Sequence, residues 1–128
     1  AGAFQNDPFR FLDSEEGLLQ YCEKAGNLFA GNTTIGAIIT NARLSKGQAA
    51  KVASMAHDGY ARTMRPAHTM LDGDTIFALS VGEVQADISA VGTLGAHVMA
   101  KAVLTSVKEA APLAGFRAMS DIAPKKGK

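Results

Sequence analysis

The stretch Thr33-Thr-Ile-Gly-Ala-Ile-Ile-Thr40 decides the fold, because strong patterning begins with it. It is rich in β-branched residues and nearly continuous in its apolar character, which is typical of a buried strand rather than a half-exposed one. Directly before it, Gly31-Asn32 is a turn signal. The stretch therefore predicts a buried strand over residues 33–40, entered from a turn.

Downstream of this strand, the sequence predicts a helix. Ser45 and Gln48 match a capping box, in which each side chain covers an amide left free at the helix start. The helix should run to about Met64, because Pro66 disfavours its continuation. Apolar positions at three- and four-residue spacing predict the face that meets the core. They are Ala49, Val52, Ala53, Ala56, Tyr60 and Met64.

A second strand and a second helix follow in the same order. Asp72-Gly73-Asp74 predicts a tight turn in which Gly73 supplies a positive φ, and Thr75 to Val81 predicts a second buried strand. A helix is predicted over residues 85–110, ended by Pro112. Its predicted core stripe is Ile88, Val91, Leu94, Val98, Ala102 and Thr105. The alternating order predicts an α/β layer.

Three smaller features complete the expected organisation. The pair Gly92 and Gly95 indicates a close-packing helix surface rather than a phosphate loop, and residues 118–122 suggest a short last strand. Residues 1–32 differ in composition and are interpreted as an arm, with a short helix over 14–24 capped by Asp13 or Ser14. Two strands alone leave edges and apolar faces uncovered, so we expect partner strands from elsewhere.

The totals favour one domain without a strong electrostatic partner. The chain has 128 residues and a net charge of +1, which gives no general case for binding nucleic acid or an anionic membrane. A single cysteine, Cys22, excludes an internal disulfide and favours a reducing compartment. The absence of a long uncharged apolar run and of a signal-peptide pattern leads us to expect a cytoplasmic protein without a membrane span.

Several familiar chemistries lack their residue patterns. The three histidines, at positions 57, 68 and 97, show no zinc-binding spacing, and the Asp72 loop lacks the later ligands of a calcium loop. No nucleophile elbow, phosphate loop or dinucleotide fingerprint is present, and Cys22 has no context for catalysis. No metal or cofactor is therefore predicted.

Thr33 has both a structural and a chemical interpretation. Threonine suits the start of a strand for structural reasons alone. If the bond between Asn32 and Thr33 were cut, however, Thr33 would carry its own base, because an α-amine titrates near physiological pH. Asp72 and Asp74, beside the next strand, would then orient and polarise the nucleophile. The residues alone leave the choice open.

A resemblance to a known family favours the chemical interpretation. Four blocks carry it, in the family's order and spacing. They are Gly31-Asn-Thr-Thr-Ile-Gly36, Ile39-Thr-Asn-Ala42, Ala56-His-Asp-Gly-Tyr-Ala-Arg62 and His68-Thr-Met-Leu-Asp-Gly-Asp-Thr-Ile-Phe-Ala78. The chain resembles the self-processing N-terminal-nucleophile hydrolases of the L-aminopeptidase/D-esterase-amidase and β-peptidyl aminopeptidase group, nearest to those that hydrolyse 6-aminohexanoate (nylon) oligomers.

The resemblance implies a fold, a cleavage site and catalytic residues. The fold would be a layered αββα sandwich of the N-terminal-nucleophile type, completed by strands from an α part mostly absent here. Cleavage between Asn32 and Thr33 would make residues 1–32 the end of the α part and residues 33–128 the β part. Thr33 would be the nucleophile, supported by Asp72 and Asp74. The αβ units would assemble into a homo-oligomer.

The resemblance also implies an activity, with two alternatives. The activity would be hydrolysis of 6-aminohexanoate oligomers or related peptide-like amides, without a cofactor. The first alternative is acyl transfer of the ornithine acetyltransferase type, although the usual Lys-Gly-Thr-Gly-Met-type junction of those enzymes is not present. The second is a non-catalytic structural subunit. His57 is interpreted as structural, linking its helix to the sheet or to another subunit.

Overall fold

A computed structural model describes residues 4–6, 9–11, 13–20, 33–70 and 72–122 of the protein. The elements in chain order are β1 (Phe4–Asn6), β2 (Phe9–Phe11), α1 (Ser14–Gln20), β3 (Ile35–Ala42), α2 (Lys46–Ala61), β4 (Thr75–Val84), α3 (Ile88–Glu109) and a 3-10 helix (Met119–Asp121). The short strands β1 and β2 form an antiparallel pair, and β3 and β4 form a parallel pair. The protein is thus of the predicted α/β class.

The parallel pair is a β-α-β unit with α2 as its crossover. Its register joins Ile35 to Thr75 and continues regularly to Thr40 and Ser80. It then becomes irregular, and β4 extends to Val84 rather than ending at Val81 as predicted. Parallel strands need such a crossover because a tight hairpin cannot connect them. The predicted order of strand, helix and strand is confirmed.

Helix α2 begins as the sequence predicts and ends slightly earlier. The Ser45 side chain accepts from the Gln48 amide while the Gln48 side chain accepts from the Ser45 amide, so the capping box is confirmed. The helix ends at Ala61 rather than near Met64. The amides of Thr63 and Met64 both donate to the Tyr60 carbonyl, which converts the predicted last turn into a tighter one.

The core lies between α2, α3 and one face of the sheet. Its buried members are Ile38, Val52, Ala56, Tyr60, Ile76 and Met99. The predicted core face of α2 is confirmed, because Val52, Ala56 and Tyr60 are fully buried. Ala53 and Met64 pack against the same cluster with partial exposure.

Helix α3 turns a different face to the core from the one predicted. Asp87 caps it through the Ala90 amide, but Leu94 is 63% exposed and Val98 is also largely exposed. Its buried residues are Gly92, Gly95, Ala96 and Met99. A Cβ at Gly92 would collide with the Met55 side chain, so the glycines let α2 and α3 approach closely. The predicted stripe is confirmed at Ile88 and Val91, which pack against the core, and wrong at its four later positions, which are exposed. The close-packing role is confirmed for Gly92, while Gly95 is buried against Ile38 with room for a Cβ.

The two strands are buried on one face only. Side chains alternate along a strand, and the helices cover the row that contains Ile38 and Ile76. The opposite row is apolar but open, with Ile35 71% exposed and Phe77 56% exposed. The prediction of strands buried on both faces is therefore wrong for the described residues, whose helices lie on one side of the sheet.

The ends of the described chain differ from expectation in one place. Residues 119–121 form a 3-10 helix instead of a strand. The Asp121 carboxylate accepts from the Ala118 amide, and this local bond closes a turn rather than leaving an extended segment. Helix α1 is confirmed over Ser14–Gln20 with Asp13 as its cap, and the predicted continuation to residue 24 lies outside the described residues.

Within the described part of the chain, α3 alone is long and apolar enough to cross a membrane by length and composition. The core helix of a folded domain meets the same criteria, so the signal is weak. Helix α3 packs one face on α2, and 22% of its apolar window is buried in the described structure.

Candidate functional site

The start of β3 and the loop before β4 are held together by two hydrogen bonds. The amide of Thr75 donates to the Thr34 carbonyl over 2.9 Å, which continues the parallel ladder beyond the ends of the strands. The amide of Thr34 donates to Oδ1 of Asp74, also over 2.9 Å. Both backbone polar groups of Thr34 are thereby satisfied. The residue after Thr33 is fixed by Asp74, one of the two predicted carboxylates.

Thr33 itself lies against Gly73. Its side chain is exposed, and a Cβ built on Gly73 would be 2.5 Å from the Thr33 Oγ1. Gly73 does not have the positive φ that the turn prediction assigned to it. Among the described glycines, Gly115 is the one with a positive φ. The physical reason for glycine at this position is the close approach of the hydroxyl, which a side chain would displace.

Asp72 stabilises its own loop. Its Oδ2 accepts from the amide and from the hydroxyl of Thr69, each over 2.8 Å. Its own amide donates to the Thr69 carbonyl over 3.2 Å. Asp72 thus shapes the segment that ends in Gly73 and Asp74. The predicted pair of carboxylates is brought to the start of β3, where Asp74 accepts from the Thr34 amide and Asp72 bonds to its loop.

The side chains of Thr33 and Thr34 lie on opposite faces of the sheet. Thr34 points toward the helices, since its Oγ1 lies 3.8 Å from the Met64 sulfur. Thr33, one residue earlier, shares the open side with Ile35 and the other exposed apolar residues, as alternation along a strand requires. A hydroxyl nucleophile at Thr33 would therefore act on the open face. Asn32, the other residue of the predicted cleavage site, lies outside the described residues.

Three rings that the sequence did not assign to the site lie at the same end of the sheet. The His57 ring makes edge contacts with Tyr60, at 5.6 Å between centroids, and with His68, at 4.6 Å. Tyr60 is 1% exposed, and its hydroxyl lies over Gly36, where a Cβ would be 2.5 Å away. Among the residues that the structure describes, the Tyr60 hydroxyl and the His57 Nδ1 are buried without a hydrogen-bonding partner.

Burial and the Asp74 carboxylate both shift the pKa values of His57 and Tyr60. Burial lowers the pKa of His57, and His68 lowers it further, against the opposing effect of Asp74 and Asp58. Burial also raises the pKa of Tyr60, and the Asp74 carboxylate adds to that rise. His57 is accordingly neutral and Tyr60 a phenol at neutral pH.

The described residues contain no metal-binding group, and an open cavity lies at the opposite end of β3 from Thr33. In the segments that the structure describes, no three or more His, Cys, Asp and Glu side chains form a group that could hold a metal ion. An open cavity of about 670 Å³ lies instead where β3 and β4 end, lined by residues that include Arg43, Gln48 and Asp87. Eight strand residues separate it from Thr33, a distance of about 25 Å.

Sequence reasoning missed Tyr60, His57 and His68 as neighbours of the site. Tyr60 is predicted only as a core residue of α2, and His68 is assigned no role at the site. One signal was present, because His57 and Tyr60 belong to one of the resemblance blocks and His68 begins another. Blocks that recur together usually meet in space, but their chemistry is visible only once the chain is folded.

Comparison with known proteins identifies the family. The model of peptidase family S58 matches residues 5–120. An uncharacterized aminopeptidase of Mycobacterium tuberculosis is 44% identical over 73% of this chain and 31% of its own length. An uncharacterized aminopeptidase of Mycobacterium leprae is 41% identical over 80% of this chain and 33% of its own length. A 6-aminohexanoate-oligomer endohydrolase of Paenarthrobacter ureafaciens is 36% identical over 62% of this chain and 26% of its own length.

The matches cover a small share of each relative but most of this chain. It spans about a third of the length of the curated relatives it matches. The family model, in contrast, matches nearly all of the chain, including every described element of the β-α-β unit and α3. The resemblance drawn from the four sequence blocks is confirmed. The chain belongs to peptidase family S58.

Proposed function

We propose that this chain supplies the nucleophile of an amide hydrolase, and that Thr33 becomes that nucleophile when the bond between Asn32 and Thr33 is cut. The observation that carries the proposal is the geometry at the start of β3. The Thr33 hydroxyl lies on the open face over Gly73 while Asp74 fixes the next amide. Family membership supports an amide hydrolase, and the position of Thr33 supports its role.

The cut itself would use the hydroxyl of Thr33. Its Oγ1 attacks the carbonyl carbon of Asn32, and the peptide nitrogen leaves with a proton to become the α-amine of Thr33. The resulting ester between Asn32 and the Thr33 side chain is then hydrolysed by water, which frees the hydroxyl. The two steps together produce the base, which is the α-amine, and the free hydroxyl nucleophile.

The hydrolysis of a substrate would repeat this chemistry between molecules. The α-amine takes the proton of the Thr33 hydroxyl, and Oγ1 attacks the amide carbonyl of the substrate. The amine product leaves with a proton, and water cleaves the acyl ester to release the acid. Donors for the oxyanion would come from the α part of the same precursor.

The open apolar face supports the proposed fold and substrate class. A row containing Ile35, Ile39 and Phe77 is exposed in the described chain, and a layered αββα sandwich would cover it with strands from the α part. Residues 1–32 would end that part and residues 33–128 would form the β part. The relatives named 6-aminohexanoate-oligomer endohydrolase support linear amides with apolar spacers as substrates, and those named aminopeptidase support peptides. We propose a cytoplasmic homo-oligomer of αβ units.

Two variants and one mass measurement test the proposal in the full-length protein. The wild type should yield a fragment that begins Thr-Thr-Ile-Gly, identified by intact mass and N-terminal sequencing. Thr33→Ala should stay uncut and should not hydrolyse 6-aminohexanoate oligomers or peptides. Thr34→Val is the matched control, because it keeps the backbone amide that Asp74 binds, and it should still be cut.

Three results would decide against the proposal. Equal hydrolysis by wild type and Thr33→Ala would exclude Thr33 as the nucleophile. A folded wild type that neither cuts nor hydrolyses would indicate a structural subunit. Capture of the acyl group by added amines much faster than by water would indicate a transferase.

A further inference from the structure

We propose that Tyr60 is a positioning residue of this site, which acts through Asp74 to hold the Thr33–Thr34 segment in its reactive geometry. The inference rests on the proposed function of Thr33. It does not place Tyr60 in contact with the substrate. The Tyr60 hydroxyl, buried on the helix side of the sheet, supports a carboxylate whose task is to fix the residue next to the nucleophile.

The first step of the argument is the direction of the Asp74 side chain. In a parallel pair, residues in register point to the same face, and the ladder places Asp74 beside Thr34 as it places Ile76 beside Gly36. Ile76 is buried against the helices, and so Asp74 points to the helix side as well. Thr34 points there too, toward Met64.

The second step is the position of Tyr60. Its hydroxyl lies over Gly36, which is two residues after Thr34 in the same helix-facing row. The absence of a side chain at Gly36 makes room for the phenol oxygen. The Asp74 carboxylate interacts electrostatically with the phenol and with the His57 ring, whose edge contact holds the orientation of Tyr60.

The third step is the unpaired hydroxyl. A buried polar atom without a partner is costly, and such atoms in folded proteins generally have a function or a water partner. The phenol O–H can rotate about its C–O bond and can donate toward Asp74 through one water. A hydrogen bond to a carboxylate fixes its orientation, and that orientation keeps Oδ1 of Asp74 on the Thr34 amide.

Among the described residues, few other groups near Asp74 could donate a hydrogen bond to its carboxylate. Helix α2 contributes His57 and Tyr60, the following loop contributes His68 behind His57, and Asp72 is the neighbour in its own loop. From α3, Met99 reaches the same glycine as Tyr60 and carries no proton that titrates. The hydroxyl of Tyr60 is therefore the neutral donor suited to orienting the Asp74 carboxylate.

The test compares Tyr60→Phe with Met99→Leu in the full-length protein. Both change a buried side chain against Gly36, but only the first removes a hydroxyl. Tyr60→Phe should slow self-cleavage and lower kcat for amide hydrolysis by about tenfold with KM unchanged, because it removes one hydrogen bond to the carboxylate that positions Thr34. Met99→Leu should leave kcat and the rate of self-cleavage close to those of the wild type.

A second readout does not depend on activity. In protein labelled with 13Cζ-tyrosine, the Tyr60 resonance is the one that Tyr60→Phe removes, and its titration reports the phenol pKa. Asp74→Asn should lower that pKa, since the carboxylate raises it. A Tyr60 titration that ignores Asp74→Asn, or a kcat and self-cleavage rate in Tyr60→Phe equal to those of Met99→Leu, would overturn the inference while Thr33 keeps its role. A wild type without Thr33-dependent activity would overturn both.

Discussion

The carboxylate of Asp74 lies 2.9 Å from the backbone nitrogen of Thr34, although forty residues separate them in the chain. The bond joins the loop before β4 to the segment before β3, outside the regular ladder of the two strands. It therefore fixes the chain immediately beyond Thr33. A side chain that orients a backbone in this way influences chemistry at its neighbour without touching a substrate.

Substitutions at Asp74 should separate the contribution of its hydrogen bond to stability from the contribution of its charge to self-cleavage. Asp74→Ala leaves the Thr34 amide without its partner and should lower the free energy of unfolding by about 1–3 kcal/mol. Asp74→Asn keeps an acceptor oxygen and should cost less stability, yet it removes the negative charge and should slow self-cleavage. Urea denaturation and the rate of fragment formation measure the two effects. Equal stability loss in both variants would contradict the assigned hydrogen bond.

A methyl group at position 73 should displace the nucleophile. The Cβ of Gly73→Ala would meet the Thr33 hydroxyl, and a displacement of about 1 Å costs about 100-fold in rate. The fold should persist, because a side-chain oxygen can move away. Gly47→Ala is the control: its Cβ meets nothing within 4 Å, and alanine favours a helix. Similar cleavage rates in both variants would exclude a requirement for glycine beside Thr33.

The contact between α2 and α3 should be sensitive to a single added carbon at position 59. A Cβ at Gly59 would lie 2.6 Å from the carbonyl oxygen of Ala96 and 2.9 Å from the nitrogen of Ala100. These are backbone atoms, so the helices would have to separate. Gly59→Ala should destabilise the protein by about 1–3 kcal/mol in urea denaturation. Gly17→Ala, where the Cβ has open space, should not destabilise.

His57 should make stability depend on pH below neutrality. Its pKa is lowered in the folded protein, first by burial and then by His68. The unfolded chain therefore binds the proton more readily, and stability falls as pH drops through 6.5 toward the folded value. His57→Gln should reduce this slope in urea denaturation at several pH values. His97→Gln, at an exposed position, should preserve it, and an unchanged slope in His57→Gln would contradict the assignment.

Much of the fold is predictable because its signals are local. The capping box of Ser45 and Gln48, the alternation of strand and helix, and the spacing of Val52, Ala56 and Tyr60 each specify a structure within a few residues. The core face of α3 was not predictable in the same way. Its buried surface combines Ala96 and Met99 with the two glycines, whose contribution is the absence of a side chain, while larger apolar residues such as Leu94 are exposed.

The strands show a different limit. An apolar run such as Ile35 to Ile39 indicates that both faces of the strand favour burial. Composition does not indicate whether helices of the same chain or strands from another part cover each face. For the site, Thr33, Asp72 and Asp74 followed from the family resemblance rather than from spacing alone. Tyr60 and His57 escaped notice because their proximity to Asp74 arises from the crossover of α2 and from the glycine at position 36.

The sheet holds the Thr33 hydroxyl on one side and the Asp74 carboxylate that supports its neighbour on the other. The side of the proposed nucleophile and the supporting side are thus separated by the backbone. In the proposed sandwich the open row of Ile35, Ile39 and Phe77 packs on strands of the α part, so substitutions there act on that contact, while the support of Thr34 lies on the helix side. The two faces of the sheet are therefore open to independent substitution.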